Sequence, residues 1–341
     1  MNLNPRPVRW SDRTLSVLRA DRLDACEKDL AGLGGPGLFD TETTDGDAER
    51  LFSQSWYAEE PEEPHLHTIE EMRAQVLTSF PAEMGLLSPE EYDLLLKAAV
   101  LGGEIPLYDE NDLPAARSMA RRLWCRTRPE RGKWLSLPRQ LCMAALLMTA
   151  SEELKTVRET VERITDAVDN TLYLAGSMSA EIVRRDLAFQ LQGSMAADKP
   201  RLYDRMLRAS FETVPDREGR LMLVHPGLAD PWTAVRKNRD DQPGLYQQDM
   251  EDLYESLMDV EDPLYDRLLN QIRGRMRPEF QAEDTVEDLI LLMKQGAPAG
   301  ELREVLGNKL ICLPTEEMTS TLEEMRRRIP AWGSLSMESV Q

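Results

Sequence analysis

Apolar side chains recur at helical spacing between residues 154 and 172, and this is the clearest structural pattern in the chain. Six large apolar residues are separated by three or four positions: Leu154, Val157, Val161, Ile164, Val168 and Leu172. This spacing places them on one stripe of a helix of about six turns. Charge pairs four residues apart, Lys155 with Glu159 and Arg158 with Glu162, would support the solvent side. The pattern predicts a long amphipathic helix.

A second helical pattern follows after Ser179. Its apolar residues are Ile182, Val183, Leu187 and Leu191. Only a short break around Gly176 separates this pattern from the long helix, which is typical of two helices joined as a hairpin. We therefore expect the two helices to pack antiparallel.

Shorter amphipathic helices are predicted by their start signals. Residues 68–71 and 149–152 have the pattern of capping boxes, in which a hydroxyl and a later carboxylate satisfy each other's free backbone donors. Ser88 precedes a proline at the first helical position, where proline is favoured. We expect the helix after residue 68 to end at Pro81, and the helix after Ser88 to end at Gly102.

Strand signals are few. Residues 212–224 have the pattern of a small β-hairpin, because turn residues separate two short apolar runs, and residues 309–313 are a candidate for one more strand. No glycine-rich phosphate loop follows a strand, which disfavours nucleotide-binding α/β folds. The sequence predicts a mainly α fold: a multi-helix bundle or an irregular helical array with a long helical hairpin and a minor β-hairpin.

The chain is long enough for more than one domain, and composition suggests where they meet. Residues 1–64 would hold an N-terminal helix and an acidic segment rich in glycine and proline. Residues 65–200 would form a helical domain with a basic segment and the long hairpin. Residues 201–341 would form a second helical region with the β-hairpin and a loose C-terminal tail.

Charge is unevenly distributed along the chain. The 41 lysines and arginines against 61 aspartates and glutamates give a net charge of −20, which on average repels nucleic acid and anionic membranes. Between residues 114 and 140, however, eight basic residues face one acid, whereas residues 40–63 carry nine acids against one base. Such segregation implies neutralisation within the chain or by a partner.

The basic stretch, which we call the Arg/Trp segment, is the strongest candidate for partner binding. Its candidate residues are Arg117, Arg121, Arg122, Trp124, Arg126, Arg128, Arg131, Lys133 and Trp134. Guanidiniums pair with carboxylates or phosphates and stack on aromatic rings, so the composition suits an acidic protein or a nucleic-acid backbone. The alternative is that the segment docks on acidic surfaces of the same chain, with its tryptophans in the core.

Carboxylates are the only abundant catalytic-type groups. One row lies on a single face of the long helix: Glu159, Glu162, Asp166 and Asp169. Such a row is a candidate for magnesium binding in a helical phosphohydrolase, although a solvated helix flank is the more ordinary interpretation. The chain has three histidines: His65 and His67 are a weak candidate for metal binding, and His225 is expected in a turn. No motif for a serine or cysteine nucleophile occurs. No cofactor is predicted.

The cysteines and the apolar runs favour a cytoplasmic protein. The four cysteines, Cys26, Cys125, Cys142 and Cys312, show neither redox-pair nor zinc spacing. The longest nearly unbroken apolar run, residues 141–150, is too short for a bilayer, and Cys142 within it has the character of a small buried apolar residue. The N-terminus lacks the apolar core of a secretory signal.

Three functions follow from these patterns. The first is a non-enzymatic interaction protein, an adaptor, scaffold or assembly subunit, that binds a protein partner or its own copy through the Arg/Trp segment and acidic helical faces. The second is an all-helical metal-dependent phosphohydrolase that uses the carboxylate row. The third is nucleic-acid binding through the Arg/Trp segment, which the net charge disfavours.

Overall fold

The computed structural model describes residues 14–33, 36–59, 68–110, 112–127, 134–216, 218–228, 245, 263–329 and 331–332. In this part of the chain thirteen α-helices alternate with two small antiparallel sheets, which confirms the predicted mainly α fold. No described helix has the length and apolar character that a bilayer crossing requires.

The helices are α1 Leu15–Gly32, α2 Ala48–Gln54, α3 Ile69–Gly85, α4 Pro89–Val100, α5 Asp112–Arg121, α6 Arg139–Met148, α7 Glu152–Ala175, α8 Ala180–Gln190, α9 Pro200–Ser210, α10 Pro263–Ile272, α11 Ala282–Lys294, α12 Ala299–Lys309 and α13 Glu316–Arg328. The strands are β1 Glu104–Pro106, β2 Arg126–Thr127, β3 Trp134–Ser136, β4 Ser177–Ser179, β5 Glu212–Pro215 and β6 Leu221–Val224.

The sheets have the orders β1-β3-β2 and β4-β6-β5. The predicted β-hairpin is confirmed as β5 and β6, with Pro215 opposite Leu221. Asp216 closes its turn, because the carboxylate Oδ1 accepts the backbone N–H groups of Glu218 and Arg220, each at 2.8 Å. The β1-β3-β2 sheet was not predicted; its strands of two or three residues are too short to give an alternating pattern.

The chain divides into two compact units. The N-terminal unit comprises Asp21–Thr165 and Val183–Ser210. The C-terminal unit comprises Met1–Ala20, Asp166–Ile182 and Phe211–Gln341.

In the N-terminal unit the apolar stripe of α3 lies in the core with α4, α6 and Trp124. The predicted capping box at residues 68–71 is confirmed, since the Thr68 hydroxyl accepts the Glu71 N–H. The predicted stop at Pro81 is wrong, because α3 continues to Gly85. Proline removes one helical hydrogen bond, but Phe80 and Met84 on either side of it are buried, and their burial outweighs that loss.

The long helix is confirmed as α7, and every residue of its predicted stripe is buried. Its cap differs from the prediction: Ser151 accepts the Leu154 N–H, while the Thr149 hydroxyl donates to the Leu146 carbonyl at the end of α6. Helix α8 follows after the short strand β4, and Arg163 of α7 donates to Gln190 at the end of α8, as expected for antiparallel helices.

The core of the C-terminal unit is built by α10, α11, α12 and α13. The candidate strand at residues 309–313 is wrong. Helix α12 extends to Lys309, and only an isolated bridge between Leu310 and Met276 forms there.

Candidate interaction surface

The Arg/Trp segment lies on the end of α5, on β2 and β3, and on the residues between them. Three of its predicted binding residues, Arg128, Arg131 and Lys133, fall outside the described residues. Trp134 begins β3 and is partly buried.

Three arginines of the segment contact other groups of the N-terminal unit. Arg117 forms an ion pair with Asp29 at 2.6 Å, and Arg126 forms one with Asp40 at 2.5 Å. The guanidinium of Arg121 lies 3.8 Å from the ring centroid of Trp56. These contacts match the alternative in which the segment docks on acidic surfaces of its own chain.

Arg122 and Trp124 lie in the core of the N-terminal unit. Arg122 bonds through Nη1 to Glu83 Oε2 at 3.0 Å and through Nη2 to Glu91 Oε1 at 3.4 Å. From α9, Arg205 Nη1 bonds to Glu83 Oε1 at 2.9 Å. Two buried carboxylates thus balance two buried guanidiniums, which is the arrangement that buried charges require.

The two guanidiniums favour the ionised state of Glu83. Burial by itself raises the pKa of Glu83, but Arg205 and Arg122 together hold that pKa below its usual value. Arg205 also lies 4.2 Å from the ring centroid of Tyr57, whose pKa is raised by burial. A partner that bound Arg122 or Trp124 would have to open this core, and partner binding by the segment stays a prediction.

The carboxylate row is exposed on α7. Glu159, Glu162, Asp166 and Asp169 all face solvent. Within the described ranges no three His, Cys, Asp or Glu side chains stand close enough to hold a metal ion. His225 follows β6 in a turn, where its Nδ1 accepts the Gly227 N–H at 3.1 Å, and desolvation lowers its pKa to about 4. His65 and His67 lie outside the described residues.

Helix α6 is apolar on two faces, and described residues of the chain cover only one of them. Leu141, Cys142 and Ala145 are buried on the side that packs against α3 and α4. On the opposite side Met143, Leu146 and Leu147 are 51%, 37% and 73% exposed. Their spacing of three and four residues makes them one stripe, which we call the outer face of α6.

The outer face of α6 has opposite charges at its two ends. Arg139 is exposed at the first residue of the helix, and Pro138 before it provides no side-chain cap. Glu152, exposed at the start of α7, follows the other end and forms an ion pair with Lys155 at 2.6 Å, which a second copy would share or replace. No charged residue lies between these two positions.

The outer face was missed because residues 141–150 have the character of a buried run. The sequence did contain a signal for this face. Apolar residues occur on all sides of this short helix, and a single neighbouring layer can cover only one side.

Comparison of the chain with protein-family models, with curated proteins and with solved structures found no match.

Proposed function

We propose that this protein is a non-enzymatic assembly subunit that binds a second copy of itself through the outer face of α6. The observation that carries the proposal is the exposed stripe of Met143, Leu146 and Leu147 on a helix whose other face is packed in the core. A contiguous exposed apolar stripe on a folded surface is typical of a protein-binding site.

The charge pattern favours a second copy as the occupant. Two copies related by a two-fold axis, with their α6 helices antiparallel, would bring Arg139 of each copy near Glu152 of the other. An arginine at an uncapped helix start is unfavourable for the helix dipole, and a facing carboxylate relieves this. Antiparallel helix dipoles also attract each other.

The composition of the face favours its burial. Since residues 140–151 carry no charge, closing the interface desolvates apolar side chains without burying an ion. A fully buried leucine or methionine contributes about 1.5–3 kcal/mol, and a two-fold interface counts each residue twice.

Sedimentation equilibrium over a range of concentrations tests the proposal. We expect the wild-type chain to form a dimer, and Leu147→Glu to raise the dimer dissociation constant by at least about 100-fold, because two buried leucines are lost. Leu313→Glu, which changes an even more exposed leucine in the C-terminal unit, is the matched control and should leave the dimer intact. A monomeric wild-type chain, or a dimer that survives Leu147→Glu, would refute the proposal.

A charge exchange tests the antiparallel arrangement separately. Arg139→Glu and Glu152→Arg should each weaken the dimer, because each places like charges across the two-fold axis. An equimolar mixture of the two variants should dimerise again, since both pairs across the mixed interface are then opposite in sign. If the mixture stays monomeric while each variant is folded, the helices do not pair in this direction.

A further inference from the structure

The loop that follows α12 presents apolar side chains to solvent in the C-terminal unit. Ile311 is 69% exposed, Leu313 is 86% exposed, and Cys312 between them is exposed as a free thiol. Three consecutive side chains without charge therefore lie on the surface of the described part of this unit. Such a run is usually retained for binding.

This loop lies beside the segment that follows α10. Leu310 and Met276 form an antiparallel bridge, and the Ile311 N–H donates to the Arg275 carbonyl at 2.8 Å. Leu310 is buried in the core of the unit, and Met276 packs against that core. The bridge therefore ties both segments to the core and fixes Arg275 next to Ile311.

Two arginines of the neighbouring segment have no acidic partner in the described part of the chain. Arg275 and Arg277 are exposed, and among the residues that the structure describes no carboxylate forms an ion pair with either. Arg277 uses its Nε to donate to the Leu310 carbonyl at 2.9 Å, which leaves its terminal nitrogens available. By contrast, Arg273 close by is paired with Glu283. In a chain with a net charge of −20, two available guanidiniums beside an exposed apolar loop indicate a site for an incoming carboxylate.

We propose that Arg275, Arg277, Ile311 and Leu313 form a docking surface for an acidic segment of a partner protein that carries apolar side chains beside its carboxylates. The guanidiniums would pair with the carboxylates, and the loop would bury the apolar side chains. Because the arginines and the apolar residues come from two adjacent segments, one ligand segment can contact both. This basic-apolar surface belongs to the C-terminal unit, whereas the outer face of α6 belongs to the N-terminal unit, and we propose a different partner for each.

Fluorescence anisotropy with the full chain tests the ligand chemistry. The probe is a fluorescein-labelled helical peptide of glutamate, leucine and alanine, and its matched controls replace glutamate by glutamine or leucine by serine. We expect the first peptide to bind, its affinity to fall as salt is added, and each control peptide to bind at least about tenfold more weakly. Equal binding of the glutamine peptide, or no binding of the glutamate peptide at low salt, would overturn the proposal.

Substitutions in the full chain test the location. Arg275→Glu combined with Arg277→Glu, and separately Leu313→Ser, should each weaken peptide binding by at least about tenfold. Arg303→Glu on α12, another exposed arginine of the same unit, is the matched control and should change the affinity little. All of these residues are exposed, so the variants should retain the wild-type melting temperature. If Arg303→Glu causes the same loss, general charge rather than this surface binds the peptide.

Vesicles of phosphatidylserine and phosphatidylcholine provide the second probe, because arginines beside apolar residues also suit an anionic lipid surface. The proposal predicts peptide binding without vesicle binding. Vesicle binding that is lost in Leu313→Ser, with no peptide binding, would assign the surface to a membrane instead and overturn the proposal.

Discussion

Two lysines of the C-terminal unit are buried to a similar degree, yet their amines meet different surroundings. Lys294, the last residue of α11, is 2% exposed, and Lys309, the last residue of α12, is 7% exposed. The Lys309 amine bonds directly to the buried carboxylate of Asp288. The Lys294 amine donates to the Tyr173 carbonyl at 3.2 Å and lies 4.0 Å from the centroid of the Tyr173 ring. The Lys309 amine thus has an opposite charge beside it, whereas the contacts found for the Lys294 amine among the described residues are with a carbonyl and an aromatic ring.

The difference shows two ways in which a fold accommodates a buried amine. For Lys309, the ion pair with Asp288 compensates the desolvation of both partners. For Lys294 no ion pair is found among the described residues, and burial lowers its pKa to about 7. At neutral pH this amine therefore spends much of its time without its proton, because burial disfavours its charged form.

Trp332 provides a second hydrogen bond to the carbonyl that the Lys294 amine contacts. Its indole N–H donates to the Tyr173 carbonyl at 2.9 Å, and its backbone N–H donates to the Lys294 carbonyl at 2.6 Å. The Tyr173 oxygen thus has a second donor. Removal of the amine would leave no buried polar atom unsatisfied at this point.

Removal of the paired amine should have the largest effect. Lys309→Met leaves the carboxylate of Asp288 buried without its cation, so we expect the free energy of unfolding to fall by about 3–5 kcal/mol, measured by urea denaturation at pH 7. Adding Asp288→Asn to this variant removes the unpaired charge and should recover most of the loss. A loss below about 1 kcal/mol in the single variant would show that the pair is not effectively buried.

Removal of the unpaired amine should have a smaller effect of opposite sign. Lys294→Met keeps the length of the side chain and removes the cost of burying an amine. We therefore expect the free energy of unfolding to rise by about 1–3 kcal/mol in the same assay. The matched control is Lys294→Gln, which retains a polar group in the same apolar surroundings and should gain less. Destabilisation by Lys294→Met would mean that the contacts with Tyr173 outweigh the desolvation cost.

The contrast between the two lysines also shows how far the sequence could predict this molecule. Helix α7 and the β5-β6 hairpin were predictable, because their patterns depend on neighbouring residues. The partners of buried charges were not, since Lys294 and Tyr173 are 121 positions apart and Glu83 and Arg205 are 122 positions apart. A local pattern contains no information about such pairs.

The candidate surfaces were predictable only in part. Arg122 was identified by its charge, but its burial follows from carboxylates on α3 and α4 that sequence spacing does not connect to it. The outer face of α6 and the loop around Leu313 consist of apolar residues, and sequence alone does not say which apolar faces lack a neighbour.

The smallest of the expected effects is a pH dependence that belongs to Lys294 alone. The folded-state pKa of about 7 lies below that of an unfolded lysine, so the unfolded chain binds the extra proton above pH 7. Stability from this residue should therefore rise with pH, by about 1 kcal/mol between pH 7 and pH 8, and stay constant below about pH 6 where both states are protonated. His225, the titratable group beside Lys294, has a pKa of about 4 and stays neutral throughout this range.

The wild-type curve of unfolding free energy against pH contains contributions from every titrating group, so the comparison is made with Lys294→Met. Subtracting the variant curve from the wild-type curve should leave a difference that increases between pH 7 and pH 9. The same subtraction with the curve of the Lys309→Met and Asp288→Asn double variant should leave a difference without this rise, because both of those proteins retain Lys294 and its contribution cancels. Parallel curves for the wild type and Lys294→Met would show that the Lys294 amine remains charged in the folded protein, and that its contacts with the Tyr173 carbonyl and ring compensate a full charge as a carboxylate does.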